Sequence, residues 1–415
     1  MASITIKNVG PIKNIENLEL NNVNVFMGPQ SCGKSTIAKI ISFCKWMEKR
    51  LAREGALYVI NRDICWIKEL KTYHRLMNGY FSDKSAIYYE GKRITYSFNC
   101  DYKDSEVIVT GTEKEQIGFY QENRGHSSKV IYIPAERNFV SVIPNLEKYA
   151  EQRDSIQDFI GSWFEAKRLY NFDNKLPILN LGVQYHTDSN DVDFLTLEDE
   201  KSLTLQTASS GLQSIVPLLA LFDYVAIGLY GKSKPMSIRE RDALIAKYVE
   251  MVNRKKEDKE SIDSNDLEAL LDIILSKNYV NSQIVIEEPE QNLFPTTQRD
   301  LMYHLLGSLR VDRGDSATIT THSPYILYAI NNCMMGYLVN NLLKGAEKDE
   351  YLAINFLSQK SWINPKLVSI WEIEDGKLRN IQDKDNIISE NYFDKIMTEL
   401  TDEYYQMLNY YKNEG

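Results

Sequence analysis

The chain has 415 residues, about two to three times the usual domain length, so one large domain with insertions and two lobes sharing a core are both open. Hydrophobic residues make up 43% and charged residues 26%, with 20 Gly and 11 Pro, a globular composition that excludes a disordered, collagen-like or low-complexity chain. The 48 basic and 58 acidic side chains sum to -10, so a polyanion could be held only by a local basic patch and not by the overall field.

At the N-terminus Lys7, Lys13, Glu16 and Glu19 interrupt every apolar stretch, which leaves no signal-peptide core. Ser3 to Ile6, Leu18 to Leu20 and Val23 to Met27 read as short strands broken by Gly10, Pro11 and Asn-rich turns. Gly28 to Gly33 is a loop, and Lys34 to Glu48 carries Ile37, Ile40, Ile41 and Cys44 at helical spacing. Residues 85 to 120 predict antiparallel hairpins, with Tyr88, Tyr89 and Ile94 to Tyr96 flanking a turn at Glu90 and Gly91. Residues 144 to 172 predict helix, and Val192 to Leu205 a second β-rich patch.

The most apolar stretch, Ile215 to Tyr230, contains Pro217 and Asp223 and is shorter than the roughly 20 residues of a membrane span, so it reads as a buried core helix. Ser237 to Lys277 is a charged helical insertion. Its Arg254, Lys255 and Lys256 are followed at once by Glu257 and Asp258, which favours a solvated face over a phosphate contact. The order then becomes strand (Ile284 to Ile286), helix (Pro295 to Leu309), strand (Ala317 to Thr320), helix (Pro324 to Asn331), an alternation that implies a parallel sheet. A hairpin around Asp375 and Gly376 and a final helix bearing Tyr392, Tyr404, Tyr405, Tyr410 and Tyr411 complete the chain. Five scattered cysteines form no C-x-x-C pair, as expected of a protein of the reducing cytoplasm.

Four segments carry chemistry. Gly28, Pro29, Gln30, Ser31, Cys32, Gly33, Lys34, Ser35 and Thr36 fit the phosphate-loop pattern G-x-x-x-x-G-K-S/T between a predicted strand and a predicted helix. Glycines let the loop curl so that its N–H groups face phosphate oxygens, Lys34 reaches the β- and γ-phosphates of ATP, and Ser35 offers a hydroxyl to Mg²⁺. Glu287 and Glu288 end the apolar run Ile284 to Ile286. Glu287 is placed to hold the Mg²⁺ shell and Glu288 to polarise the attacking water. A strand ending in solvated acids would look the same in isolation; the phosphate loop upstream decides the reading. His322 follows the next strand, where an imidazole can bond the γ-phosphate or orient the water. Ser209, Ser210, Gly211, Leu212 and Gln213 open the apolar helix and present free N–H groups.

In this order the four segments resemble an ATP-binding-cassette ATPase head. Tyr132 to Arg137, Glu287 to Pro295 and Thr321 to Pro324 look more narrowly like stand-alone bacterial AAA-family ATPases, relatives of the overcoming-lysogenisation-defect proteins and of RecF and SMC heads. The resemblance implies an α/β ATPase head with a mixed sheet core, an antiparallel β-subdomain and helical insertions. Its core would span residues 1–331 with insertions at about 45–125 and 232–280, and residues 332–415 would complete the core or dock a partner. It further implies a head-to-tail homodimer, or a higher homo-oligomer, in which the signature residues Ser210, Gly211 and Gln213 of one chain cap the ATP held by Lys34 of the other. Leu212 stands where a signature often has its second Gly, Glu287 replaces the usual Asp, and Glu136 and Arg137 occupy the region of the Q-loop.

Two functions fit. One is an ATPase switch controlling a separate effector, a nuclease or toxin, in anti-phage defence. The other is a RecF- or SMC-like DNA-binding ATPase of repair or maintenance. No long heptad segment separates the phosphate loop from the signature, and residues 332–415 lack an acid cluster of the kind a metal nuclease needs.

Overall fold

A computed structural model describes residues 2–54, 66–77, 79–91, 94–99, 106–109, 126–143, 146, 154–230 and 278–411. The N-terminal hairpin, β1 (Ala2–Val9) and β2 (Ile12–Leu20), buries Ile4, Ile6, Val9, Ile12, Ile15 and Leu18 on one face. β3 (Val23–Met27) is buried on both faces and runs through the phosphate loop into α1 (Lys34–Glu54). This helix continues beyond the predicted end at Glu48, so an insertion boundary near residue 45 falls inside it.

Then follow α2 (Trp66–Tyr73), β4 (Phe81–Glu90), β5 (Ile94–Asn99), β6 (Glu106–Val109) and β7 (His126–Ile133). β4 pairs with β1 as well as with β5, giving one antiparallel sheet in the order β2-β1-β4-β5-β6. The predicted hairpins thus extend the N-terminal hairpin.

Next come α3 (Phe139–Val142) and α4 (Ser155–Lys167), the latter capped by Asp154, which accepts from the N–H groups of Ile156 and Gln157. A small antiparallel sheet contains β8 (Leu176–Pro177), β9 (Gln184–Thr187), β10 (Asp193–Thr196) and β11 (Ser202–Thr204). α5 (Ser210–Asp223) then buries ten consecutive residues, Gln213 to Phe222, and passes into a π-helical turn at Tyr224–Gly228. Ser210–Gly228 is long and apolar enough to cross a membrane, yet 67% of its most apolar window is buried inside the protein. The charged insertion with Arg254, Lys255 and Lys256 lies outside the described residues.

β12 (Asn278–Glu287), α6 (Pro295–Ser308), β13 (Ser316–Thr321) and α7 (Pro324–Leu342) give the expected alternation. α7 runs past the predicted stop at Asn331 because buried Cys333 and Met334 carry its apolar face onward. α8 (Gly345–Ala353), β14 (Val368–Glu374), β15 (Lys377–Asn380) and α9 (Tyr392–Tyr411) finish the described chain.

The central sheet has the order β15-β14-β3-β13-β12-β7. β14, β3, β13, β12 and β7 are parallel, and β15 is antiparallel. One face packs Val23, Val25, Ile284, Ile286 and Ile319 against α5, α6 and α7; Phe26 on the other face joins Ile37, Ile40 and Ile41 of α1 and the buried side of the β1–β2 hairpin. Strands covered on both faces read as continuous apolar runs, which explains why β3 and β12 lack alternation.

Register brings the strand ends level. Met27 pairs with Thr321, Glu287 with Thr320, and Ile286 with Ile133. The segments after β3, β13, β12 and β7 therefore emerge side by side along one edge, where open α/β sheets bind their ligands.

Candidate active site

The phosphate loop needs its glycines for space as well as for curvature. Gly28 has φ +146° and Gly33 φ +110°. A Cβ on Gly28 would lie 2.7 Å from the Ile373 carbonyl oxygen, and one on Gly33 would lie 2.4 Å from Ile12 Cδ1. Any larger residue would collide or strain the backbone. Pro29, Gln30 and Ser31 are exposed at the crest, while Gly33, Lys34 and Thr36 are buried at its foot and Ser35 is half-buried. Lys34 Nζ donates to the carbonyls of Gly28 at 3.0 Å and Pro29 at 2.7 Å, and lies 3.6 Å from Cys32 Sγ. Burial lowers the pKa of Lys34, opposed by Cys32, Glu288 and Glu290. An ammonium held on carbonyls inside the loop can exchange them for phosphate oxygens with little movement.

Glu287 is buried at the end of β12, and that burial raises its pKa. Tyr132 Oη donates to Glu287 Oε1 at 2.6 Å, and Lys39 and Ser35 nearby oppose the rise. Two oxygen donors from the two predicted metal residues thus already meet, a donor set suited to a hard cation. Among the described residues no group of three or more His, Cys, Asp or Glu can hold a metal by itself. Mg²⁺ fits such a site, since it takes few protein ligands and fills its shell with phosphate oxygens and water.

Glu288 adopts φ +42°, a left-handed conformation that non-glycine residues occupy at a cost. Its N–H donates to the Thr320 carbonyl at 3.0 Å, and its Oε1 lies 3.4 Å from His322 Nε2. The His322 bond, assisted by the charges of Lys34 and Arg137, outweighs desolvation and holds the carboxyl below its ordinary range. The group is ionised and half-exposed, as a base for water must be. Glu290, which lies in the Glu287 to Pro295 segment and is the alternative to Glu288 as base, is half-buried and accepts from the His322 N–H at 2.5 Å. It fixes the start of the loop that carries the imidazole.

Glu136 is exposed beside this edge, but Arg137 is fully buried and points inward. Its Nε donates to the Ser214 carbonyl, Nη1 to Pro134 and Glu287, and Nη2 to Glu288 and Pro289, at 3.0 to 3.3 Å. A guanidinium has five N–H groups, and all of them are spent on backbone. None is left for a nucleotide, which corrects the Q-loop expectation for this residue.

At the start of α5, Ser209 caps the helix through the Leu212 N–H, and Ser210 is exposed. A Cβ on Gly211 would stand 2.9 Å from the Asn292 carbonyl oxygen, so the helix start packs closely on the loop after Glu288. Gln213 departs from expectation: it is buried, and its amide donates to the Gln206 carbonyl at 2.9 Å within the same chain. One turn into the helix, its side chain faces the core and cannot reach a second chain. Ser210 is exposed and Gly211 half-buried at the helix start. Tyr132 carried no role of its own in the sequence, and Glu290 only that of an alternative base. The run Tyr132 to Arg137 was the signal for the first, but a single buried tyrosine has no spacing rule.

An AAA ATPase domain model matches residues 1–182, a span that holds the phosphate loop and Tyr132 to Arg137 and stops short of both carboxylates. No curated protein matches the chain. Similar solved structures include the SMC head domain from Thermotoga maritima, 11% identical, covering 79% of this chain and 90% of that one with a TM-score of 0.37. Another is the Pyrococcus furiosus Smc head with an extended coiled coil bound to the C-terminal domain of ScpA, at 9% identity, 97% and 99% coverage and a TM-score of 0.38. The recombination mediator protein RecF matches at 12% identity, 91% and 97% coverage and a TM-score of 0.33. The first 182 residues are thus similar to an AAA ATPase domain, and the sheet register sets their phosphate loop beside Glu287, Glu288 and His322.

Proposed function

We propose that the protein is an ATP-driven switch that closes as a head-to-tail homodimer, hydrolyses ATP and thereby controls a separate effector, a nuclease or toxin, in anti-phage defence. The observation that carries the hydrolytic part is the ionised Glu288 carboxylate 3.4 Å from His322 on the sheet edge that also bears Lys34. In this reading the loop N–H groups and Lys34 hold the β- and γ-phosphates. Ser35 and Glu287 would hold Mg²⁺, which would supply charge neutralisation to the phosphates. Glu288 accepts a proton from the attacking water as its oxygen bonds to the γ-phosphorus, and the bond to the bridging oxygen breaks to leave ADP and phosphate. His322 orients Glu288 and the γ-phosphate.

Closure follows from the outward Ser210 and Gly211, whose helix N-terminus offers N–H groups to an anion on a facing chain. The effector reading draws on the family resemblance of the motifs. It is also supported by α9, which exposes Met397, Leu400, Tyr404, Met407 and Tyr411 at alternating spacings of three and four residues along one helix face.

Complementation tests the switch. Ser210→Arg chains and Lys34→Ala chains should each be inactive, and mixing them should restore part of the ATP hydrolysis through one intact composite site per mixed dimer. If no mixing ratio recovers any hydrolysis, the signature does not act across a dimer.

A further inference from the structure

The loop after β12 closes on itself through Gln291 N–H to Glu288 O at 3.1 Å and Leu293 N–H to Glu290 O at 3.0 Å, but these turns leave the carbonyls of Glu287 and Pro289 to partners outside the loop. In extended chain, successive carbonyls point to opposite sides. Here the carbonyls of Glu287, Glu288 and Pro289 converge on the single guanidinium of Arg137. The left-handed φ of Glu288, +42°, is what swings them to one side. The same turn carries the Glu288 carboxylate to His322. Holding a costly conformation requires surroundings that over-determine it, and the guanidinium is the part of those surroundings with enough donors.

The remaining Arg137 donors reach elsewhere. Nε bonds the Ser214 carbonyl of α5, and Ser141 Oγ, four residues along, donates to the Gln213 carbonyl at 2.9 Å. Gln213 O is available because Pro217, four residues on in the helix, has no N–H to donate to it. Residues 137 to 141 therefore grip α5 at the turn that follows Ser210 and Gly211.

We propose that Arg137 is a positioning residue for ATP hydrolysis: it locks the backbone of Glu287 to Pro289 so that Glu288 stays aimed, and it makes that aim depend on where α5 sits. The inference rests on Glu288 being the base. Burial pushes the Arg137 guanidinium down to about 10, so it remains charged at neutral pH, and each of its bonds is charge-assisted.

A double-mutant cycle tests this in the full chain, with a fluorescent ATP analogue for affinity and single-turnover hydrolysis of labelled ATP for chemistry. Arg137→Gln should leave affinity within about threefold and slow hydrolysis by about 100-fold, and Arg137→Lys should recover part of the rate. On the Glu288→Gln background, Arg137→Gln should cost less than about threefold more, because the group it positions is already gone. Equal losses of affinity and rate, or a full further 100-fold loss in the double variant, would overturn the proposal. Near-normal hydrolysis by Glu288→Gln alone would instead remove the base assignment. Should the Arg137 variants fail to fold, Thr320→Val keeps the arginine and deletes the Oγ1 that lies 3.3 Å from the Glu288 N–H. It should slow hydrolysis several-fold at unchanged affinity and add nothing to Glu288→Gln; an unchanged rate would count against the proposal.

Discussion

Two loops leave the same edge of the central sheet and are built on opposite plans. The loop from Gly28 to Gly33 shapes itself: its glycines take positive φ, Lys34 bonds the carbonyls of Gly28 and Pro29, and the Gly33 carbonyl starts the helix by accepting from Ile37. The loop from Glu288 to Leu293 is shaped by others. Arg137 binds it from 151 and 152 positions away in the chain, Thr320 holds the Glu288 N–H, and Asn292 bonds Ser214 of α5. A self-contained loop can be carried between proteins as a short motif, whereas a loop held from outside needs its whole neighbourhood. In the proposed function the first binds the nucleotide and the second aims the base.

Substitutions should separate the two plans. Lys34→Ala, the largest effect, should weaken ATP binding by more than about 100-fold, since the phosphates lose their main side-chain cation; isothermal titration would show it, and unchanged affinity would break the binding assignment of the first loop. Gly33→Ala should destabilise the fold by about 2 kcal/mol through strain and the clash with Ile12, read as a lowered midpoint in thermal or urea unfolding. An undisturbed midpoint would mean that the hairpin gives way more easily than its burial suggests. Tyr132→Phe should be the mildest. It removes one hydroxyl from Glu287, and steady-state kinetics should show kcat down about tenfold with KM for ATP little changed. A rise in KM alone would place Tyr132 with the binding loop.

The contrast also explains what could be read beforehand. The phosphate loop was legible because its residue types and spacing are themselves the structure. The parallel strands β3 and β12 were legible because burial on both faces leaves apolar runs at Val25 to Met27 and Ile284 to Ile286. Glu287 and Glu288 stood out as acids ending such a run. The inward turn of Arg137 was not legible, since an arginine beside a glutamate looks like solvated surface and only the fold shows five carbonyls waiting for it. Nor was the burial of Gln213, whose polar side chain at a helix start gives no hint that a loop carbonyl will take its amide. The merging of β4 with β1 was hidden because strand pairing over such a distance is set by topology rather than by local pattern.

The position of β3 in its sheet bears on how the chain is made. Both neighbours of this strand come late: β13 pairs with Val23–Met27 from residues 317 to 321, and β14 pairs with the same five residues from 368 to 372. A chain growing from the ribosome N-terminus first can form the β1–β2 hairpin at once, but the strand that carries the phosphate loop has no edge to join until those segments emerge. Such long-range pairing is slow and leaves apolar strand exposed meanwhile. Nucleotide binding is therefore expected to be among the last properties a nascent chain acquires, and a truncation before β14 would strip the Gly28 backbone of the Ile373 wall against which it folds.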